Sequence, residues 1–170
     1  MVNNSVAEAA YEEAATSVWW DIENCPIPKG CKPEGIVEKI RSALNKLNYR
    51  GNISIFAYGN MDHIPPSVKQ ALSSTGITLN HVNSSSERGE VSMDIFNGVS
   101  IQGMGYNKKP PANIMFICRD YTNLMYFCSD ERRQRGYNFL VAHPQHPSDS
   151  LVASVKTTWL WRSILEEPDL

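Results

Sequence analysis

The stretch "SVWWDIENCPIP", residues 17–28, decides the fold. It begins as an apolar run over residues 18–20 and ends in a turn that contains prolines, with Asp21, Glu23 and Asn24 between the two. A short apolar run bounded by turn residues is typical of a buried β-strand. We therefore expect a strand that carries Asp21 at its end and Asn24 just beyond it.

The rest of the chain alternates between strand and helix patterns. Helical spacing of apolar residues and a closing glycine predict a helix over 31–51. The predicted strands are 17–22, 52–59, 77–83, 112–118 and 137–143, and the predicted helices are 31–51, 65–76, 91–107, 121–136 and 147–167. This alternation predicts a Rossmann-like three-layer α/β/α sandwich with a mostly parallel five-stranded sheet.

The composition favours one globular domain. The chain has 170 residues, of which 42% are hydrophobic, so it can bury a sizeable core. A net charge of −2 means that nucleic acid would have to bind through local basic patches. Four cysteines without a C-x-x-C pair are typical of a reducing compartment. The domain is expected over 17–165, with tails at 1–16 and 166–170.

The sequence also predicts a compartment. Neither a membrane span nor a secretory or mitochondrial leader is recognisable. We therefore expect a cytoplasmic protein with no membrane partner.

Three aspartates fall where a site is expected. In open parallel sheets, ligands bind beyond the carboxyl ends of the strands, where the strand order reverses. With the order 3-2-1-4-5, Asp21 and Asp120 follow neighbouring strands, and Asp94 lies in the helix after strand 3. Clustered carboxylates favour Mg²⁺ or Mn²⁺, which can assist hydrolysis of a phosphodiester. Asn24 would orient a water or a phosphate oxygen.

A structural interpretation of the same acids stays open. Asp is favoured in turns and at helix N-termini, so Asp21 and Asp120 could each serve a turn or cap. Asp94 could interact favourably with a helix dipole. Because all three acids lie at strand or helix ends, we weigh the metal site and the structural role equally.

Several stretches together resemble the NYN domains, a branch of the PIN-like nuclease superfamily. They include "SVWWDIENCPIP", "AYGNMDHIP", "ALSSTGITLNHV" and "LVASVKTTWLWRSIL", and the resemblance covers roughly residues 17–165. Within that branch the chain is most similar to plant proteins related to the meiosis regulator and mRNA stability factor family. The resemblance implies a PIN-like fold, a metal-dependent ribonuclease site and a role in RNA stability and gene expression.

The resemblance assigns roles to individual residues. Asp21, Asp94 and Asp120 match acids of the family, and Asn24 matches its amide. The chain departs from the Gly-Asp-x-Asp-Phe motif, because Arg119 replaces the glycine and Thr122 the second acid.

These departures leave two hypotheses. The first is a Mg²⁺- or Mn²⁺-dependent endoribonuclease that acts on single-stranded RNA. The second is a degenerate domain that binds RNA or a protein partner without cleavage. Lys29, Lys32, Arg119 and Thr122 are the predicted RNA contacts. The oligomeric state is left open, and family resemblance adds the peroxisome as an alternative location.

Overall fold

One parallel sheet forms the centre of the protein. The computed structural model describes residues 5–83, 90–105, 109–121 and 123–166, with Glu90 described in its main chain only. Within these residues the sheet has six strands in the order β3-β2-β1-β4-β5-β6. The strands are β1 (Thr16–Asp21), β2 (Ile53–Gly59), β3 (Thr78–His81), β4 (Ala112–Ile117), β5 (Tyr137–His143) and β6 (Thr157–Leu160).

Helices cover both faces of this sheet. They are α1 (Ala9–Glu12), α2 (Ile36–Lys46), α3 (Pro66–Ser74), α4 (Glu90–Gly98), α5 (Leu124–Phe127), α6 (Asp130–Gln134), α7 (Asp149–Ser154) and α8 (Trp161–Glu166). No helix of the described residues is long and apolar enough to span a bilayer. The α/β sandwich and the predicted order of the first five strands are confirmed.

The two tryptophans of β1 explain why this strand organises the fold. Successive residues of a strand point to opposite faces. Trp20 packs on one face with Trp161 of α8, at 5.4 Å between ring centroids. Trp19 packs on the other face, stacked on Phe56 of β2 at 4.5 Å. Both indoles are fully buried, so β1 contributes a large apolar side chain to the core on each face of the sheet.

The sixth strand corrects the sequence-based prediction. We expected one helix over 147–167, but this segment forms α7, then β6, then α8. The middle of the segment is rich in β-branched residues, Val155, Thr157 and Thr158, which favour a strand. Residues 121–136 likewise contain two short helices, and the helix after β3 ends in a π-helical turn over Val99–Gly103.

Residues 5–15, expected to be a tail, are bonded to the body of the domain. The amide of Ala7 donates to the carbonyl of Leu47 at 2.8 Å, and the amide of Arg50 donates to the carbonyl of Glu12 at 2.8 Å. Most of the expected C-terminal tail, from residue 167 onward, lies outside the described residues.

Candidate functional site

Asp21 ends β1 at the edge of the sheet where we expected a site. Its side chain is fully buried. The turn after it is held by the amide of Cys25, which donates to the Asp21 carbonyl at 2.9 Å. The indole of Trp20 donates to the carbonyl of Cys25 at 2.8 Å. The tryptophan therefore orients the turn that carries Asn24.

The carboxylate of Asp21 already accepts four hydrogen bonds. Oδ1 accepts from the amides of Glu23 and Asn24, both at 3.1 Å. Oδ2 accepts from the Asn24 side chain at 2.7 Å and from the hydroxyl of Tyr121. A carboxylate offers about four lone-pair positions, so all of them are used. Asp21 therefore joins the end of β1 to the loop that follows β4.

Tyr121 stays a hydrogen-bond donor at neutral pH. Its side chain is buried, and burial raises the pKa of its phenol. The negative charge of Asp21 raises this pKa further. Sequence reasoning missed Tyr121, because nothing in "RDYTN" shows that its hydroxyl contacts a residue 100 positions earlier.

A cavity of about 440 Å³ opens beside this turn. Its lining includes Asn24, Arg119, Asp120, His143 and His146. Asn24 follows β1, Arg119 and Asp120 follow β4, and His143 ends β5. The structure thus brings together three of the predicted site residues, Asn24, Arg119 and Asp120, at the switch in strand order.

Asp120 has a structural bond as well as a place in the cavity wall. Its side chain is exposed, and its Oδ2 accepts from the amide of Ser148 at 3.1 Å. Ser148 is the N-cap of α7, where its hydroxyl accepts from the amide of Leu151. Asp120 therefore supports the loop between β5 and α7.

His143 and Arg119 carry buried polar atoms that no described group satisfies. His143 is 1% exposed, and neither of its ring nitrogens has a hydrogen-bond partner among the described residues. The same holds for Nε of Arg119, whose guanidinium lies 5.3 Å from the centre of the Tyr121 ring. Buried polar atoms are rarely left without partners in folded proteins, so these three nitrogens are unusual among the described residues.

Burial also controls the charge of His143. It lowers the pKa of the imidazole to about 4. The negative charge of Asp120 and the polar main chain of Cys118 oppose this shift. At neutral pH the ring is therefore uncharged. The position of His143 at the end of a strand beside β4 was the signal that could have identified it.

The other predicted residues lie elsewhere or are not described. Asp94 is exposed on α4, and its charge contributes, after burial, to the raised pKa of Tyr58. Lys29 lines a different, largely apolar cavity of about 600 Å³, and exposed Lys32 lines a third. Thr122 lies outside the described residues.

No metal cluster is assembled among the described residues. They contain no group of three or more His, Cys, Asp or Glu side chains that could hold one. Asp21, Asp94 and Asp120 therefore do not form the expected metal cluster in this structure. Mg²⁺ needs free carboxylate oxygens, and those of Asp21 are occupied. Burial also raises the pKa of Cys118 and Cys128, which disfavours thiolate ligands.

The fold and the placement of the site define a class of protein. The NYN domain model matches residues 15–160, and the chain belongs to the NYN domain family. The domain has the PIN-like nuclease fold, which confirms the fold that the sequence motifs implied.

Its relatives include much longer proteins. The chain is 24% identical over 137 residues to meiosis regulator and mRNA stability factor 1 of Mus musculus, a match that covers 79% of this chain and 8% of that protein. It is 24% identical over 135 residues to the protein of the same name from Bos taurus, covering 79% of this chain and 7% of that one. The chain thus spans less than a tenth of these curated relatives.

Proposed function

We propose that this chain binds single-stranded RNA in the cavity beside β1, β4 and β5 and thereby takes part in the control of RNA stability. The observation that carries the proposal is the guanidinium of Arg119 in the wall of a cavity that Asn24 and His143 also line. The NYN family and the relatives named as mRNA stability factors also support it.

The chemistry of the cavity favours a nucleotide. Its volume of about 440 Å³ falls within the range of about 300–1,000 Å³ that is usual for small-ligand sites. A guanidinium suits the acceptor oxygens of a phosphate. With a net charge of −2, the chain must attract RNA through such a local group. Lys29 and Lys32 stay predicted contacts for RNA outside the cavity.

A second candidate is a Mg²⁺- or Mn²⁺-dependent endoribonuclease. The PIN-like nuclease fold favours it, as does the presence of Asn24 and Asp120 in one cavity. The four hydrogen bonds on Asp21 weigh against it, because a metal ion would have to displace Tyr121 or Asn24. We therefore place binding before cleavage.

We propose the cytoplasm as the working compartment, with the peroxisome as the alternative. A protein partner that adds RNA specificity is also proposed.

Fluorescence anisotropy tests the binding proposal. Labelled single-stranded RNA and a duplex of the same sequence are titrated with the chain in EDTA. We expect the single strand to bind and Arg119→Gln to weaken binding about tenfold, the loss of one charge-assisted phosphate contact. Arg162→Gln is the matched control, because Arg162 is an exposed arginine of α8 that pairs with Glu166. Absence of binding by the folded chain would overturn the proposal.

Cleavage of the same RNA separates the two candidates. The chain is incubated with Mn²⁺, with Mg²⁺ or with EDTA, beside Asp120→Asn and Tyr121→Phe. Metal-dependent cutting that is lost in Asp120→Asn would establish the endoribonuclease. Cutting by Tyr121→Phe alone would mean that the tyrosine blocks the metal position. Binding without cutting in all the proteins would leave an RNA-binding domain.

A further inference from the structure

A second cavity lies at the same edge of the sheet, on the other side of β1 from the proposed RNA site. The RNA site takes residues from the loops after β1, β4 and β5, whereas this cavity lies between the loop after β1 and the loop after β2. Its volume is about 600 Å³, and we call it the β1–β2 groove. Prolines and branched aliphatic residues form most of its wall, among them Ile27, Pro28, Ile64, Pro65 and Val68.

The walls of the β1–β2 groove are fixed before any ligand arrives. Three of its aliphatic side chains are partly buried and pack against the core, namely Ile27, Ile64 and Val68. The indole of Trp161 donates to the carbonyl of Pro26 at 3.1 Å, which holds the loop after β1. The carboxylate of Glu23 accepts from the amide of Asn60 at 2.6 Å, and this bond joins the two loops. A ligand can therefore bind without first ordering the protein.

The accessible charge of the groove is positive. Lys29 lines it and is exposed, and its side chain has no ion pair or hydrogen bond among the described residues. Glu23, the acid of the lining, already accepts from the amide of Asn60. Lys32 follows three residues later and is also exposed, but it shares the adjoining cavity with the exposed acid Glu34. Lys29 is therefore the position at which an acidic ligand gains most.

The apolar wall decides between two classes of acidic ligand, a nucleic acid and a protein segment. The bases of single-stranded RNA bind mainly by stacking on aromatic side chains or on arginine. Among the described residues that line the groove, His63 is the only aromatic one and there is no arginine. Burial of an aliphatic side chain against prolines and isoleucines needs no such partner, because it is driven by the hydrophobic effect. The groove therefore suits a protein segment better than RNA.

We infer that the β1–β2 groove docks a partner protein through a short acidic segment. The segment places the side chain of a leucine, isoleucine or valine in the groove and the carboxylate of an aspartate or glutamate on Lys29. A further cavity, which shares Gly30 and Cys31 with the groove, gives the segment room to continue along the loop. The inference goes beyond RNA binding and gives a surface to the proposed protein partner. Because the groove and the RNA site lie on opposite sides of β1, the two can be tested separately.

Peptide selection followed by anisotropy tests the inference. A phage library of random dodecapeptides is selected on the full chain, and the most enriched peptide is synthesised with a fluorescent label. We expect it to carry an aliphatic residue close in sequence to an aspartate or glutamate. Lys29→Glu should weaken its binding about tenfold, because repulsion replaces a charge-assisted contact. Lys32→Glu should weaken it less. Lys109→Glu is the control, an equal change at an exposed lysine before β4, and should alter affinity less than about twofold.

Peptide and protein variants test the apolar contact. The same peptide with its aliphatic residue changed to serine should bind wild type about tenfold more weakly, the loss expected when one such side chain is no longer buried. Val68→Asp should give a loss of similar size, because it places a charge on the apolar wall. Ser67→Asp is the matched control, since Ser67 is exposed on the same helix and lies outside the groove lining. The serine peptide decides the matter if Val68→Asp does not fold.

The outcomes separate this inference from the proposed function. Absence of peptide enrichment, or equal binding by wild type and Lys29→Glu, would overturn the docking site. Competition between the selected peptide and single-stranded RNA for wild type, lost in Lys29→Glu, would assign the groove to RNA and also overturn it. Peptide binding that persists when Arg119→Gln weakens RNA binding would support it. A chain that binds the peptide but no RNA would overturn only the proposed function.

Discussion

The two ends of strands β4 and β5 differ in whether their buried polar side chains have hydrogen-bond partners. At the amino end, Asn113 is fully buried. Its Nδ2 donates to the carbonyls of Tyr11 at 3.1 Å and Ala14 at 3.4 Å, and its Oδ1 accepts from Asn138 at 2.9 Å. At the carboxyl end, the nitrogens of His143 have no partner among the described residues. The same two strands thus end in a satisfied polar cluster on one side and an unsatisfied one on the other.

The difference teaches how to separate a structural polar residue from a binding one. A buried polar cluster with every donor and acceptor paired stabilises and specifies the fold. A buried polar atom without a partner costs free energy in the unbound protein, and a ligand can recover that cost. Asp21 belongs to the first kind although it lies at the carboxyl edge, whereas the ring nitrogens of His143 have no partner among the described residues.

The largest expected effect is at the amino end. Asn113→Leu removes three hydrogen bonds and leaves the carbonyls of Tyr11 and Ala14 with one partner fewer. We expect a loss of about 3 kcal/mol in the free energy of unfolding, measured by urea denaturation. Asn45→Leu, on the exposed face of α2, is the control and should change it by less than about 0.5 kcal/mol. A loss below about 1 kcal/mol for Asn113→Leu would mean that the cluster is not structural.

The next effect is a pH dependence at the carboxyl end. The pKa of His143 is lowered to about 4, so the unfolded chain takes up this proton at a higher pH than the folded chain. The stability contribution is complete above about pH 6.5 and is lost as pH falls towards 4, by about 2–3 kcal/mol.

His143→Phe isolates that contribution. The unfolding free energy of wild type minus that of the variant should fall steadily from pH 7 to pH 4. Both proteins contain Asp120, Arg119 and His146 around this position, so the comparison isolates the imidazole of His143. At pH 7 the variant should equal or exceed wild type in stability, because it removes two unsatisfied buried nitrogens. Parallel pH profiles for the two proteins would show that His143 titrates normally.

A smaller loss of stability is expected at Asp21, the residue of the carboxyl edge whose hydrogen bonds are all made. Tyr121→Phe removes one of the four hydrogen bonds on Asp21 and should cost about 1.5 kcal/mol. A double-mutant cycle with Asp21→Asn measures the coupling between the two side chains. Additive losses would show that the hydroxyl of Tyr121 does not stabilise the carboxylate.

The smallest effect sets the baseline for the other three. Arg162 and Glu166 pair at i,i+4 on α8, at 2.6 Å, and both side chains are exposed. Glu166→Gln should cost no more than about 0.5 kcal/mol. The loss should vanish in 1 M NaCl, because salt screens exposed charges. A loss larger than that of Tyr121→Phe would contradict the ranking by burial.

The sequence predicted the scaffold well because its information is local. Apolar runs such as 112–118 are long enough to identify strands, and their alternation with helices fixes a parallel sheet. The order of the strands then placed Asn24 and Asp120 at one edge. Strand β6 was missed because Leu151, Val155, Trp159 and Leu165 also suit a helical pattern, which outweighed the β-branched residues.

The chemistry of the site was less predictable because it depends on contacts between distant segments. That Asp21 is saturated follows from the hydroxyl of Tyr121, which comes from another strand's loop. That His143 is unsatisfied follows from the burial of both its nitrogens, which no local pattern encodes. A sequence shows which residues are acidic, but it does not show whether their carboxylate oxygens already accept hydrogen bonds.

The bonded segment before β1 has a practical consequence for protein engineering. Gly51 lies against the main chain of Ala14, where a Cβ would approach the Ala14 carbonyl oxygen to 2.1 Å. Asn113 also depends on the carbonyls of Tyr11 and Ala14. A shortened gene that starts at Thr16, close to where the family match begins, would delete the partners that this asparagine requires. We therefore expect the folding unit to extend upstream of the family boundary, and expression trials should keep residues 5–15.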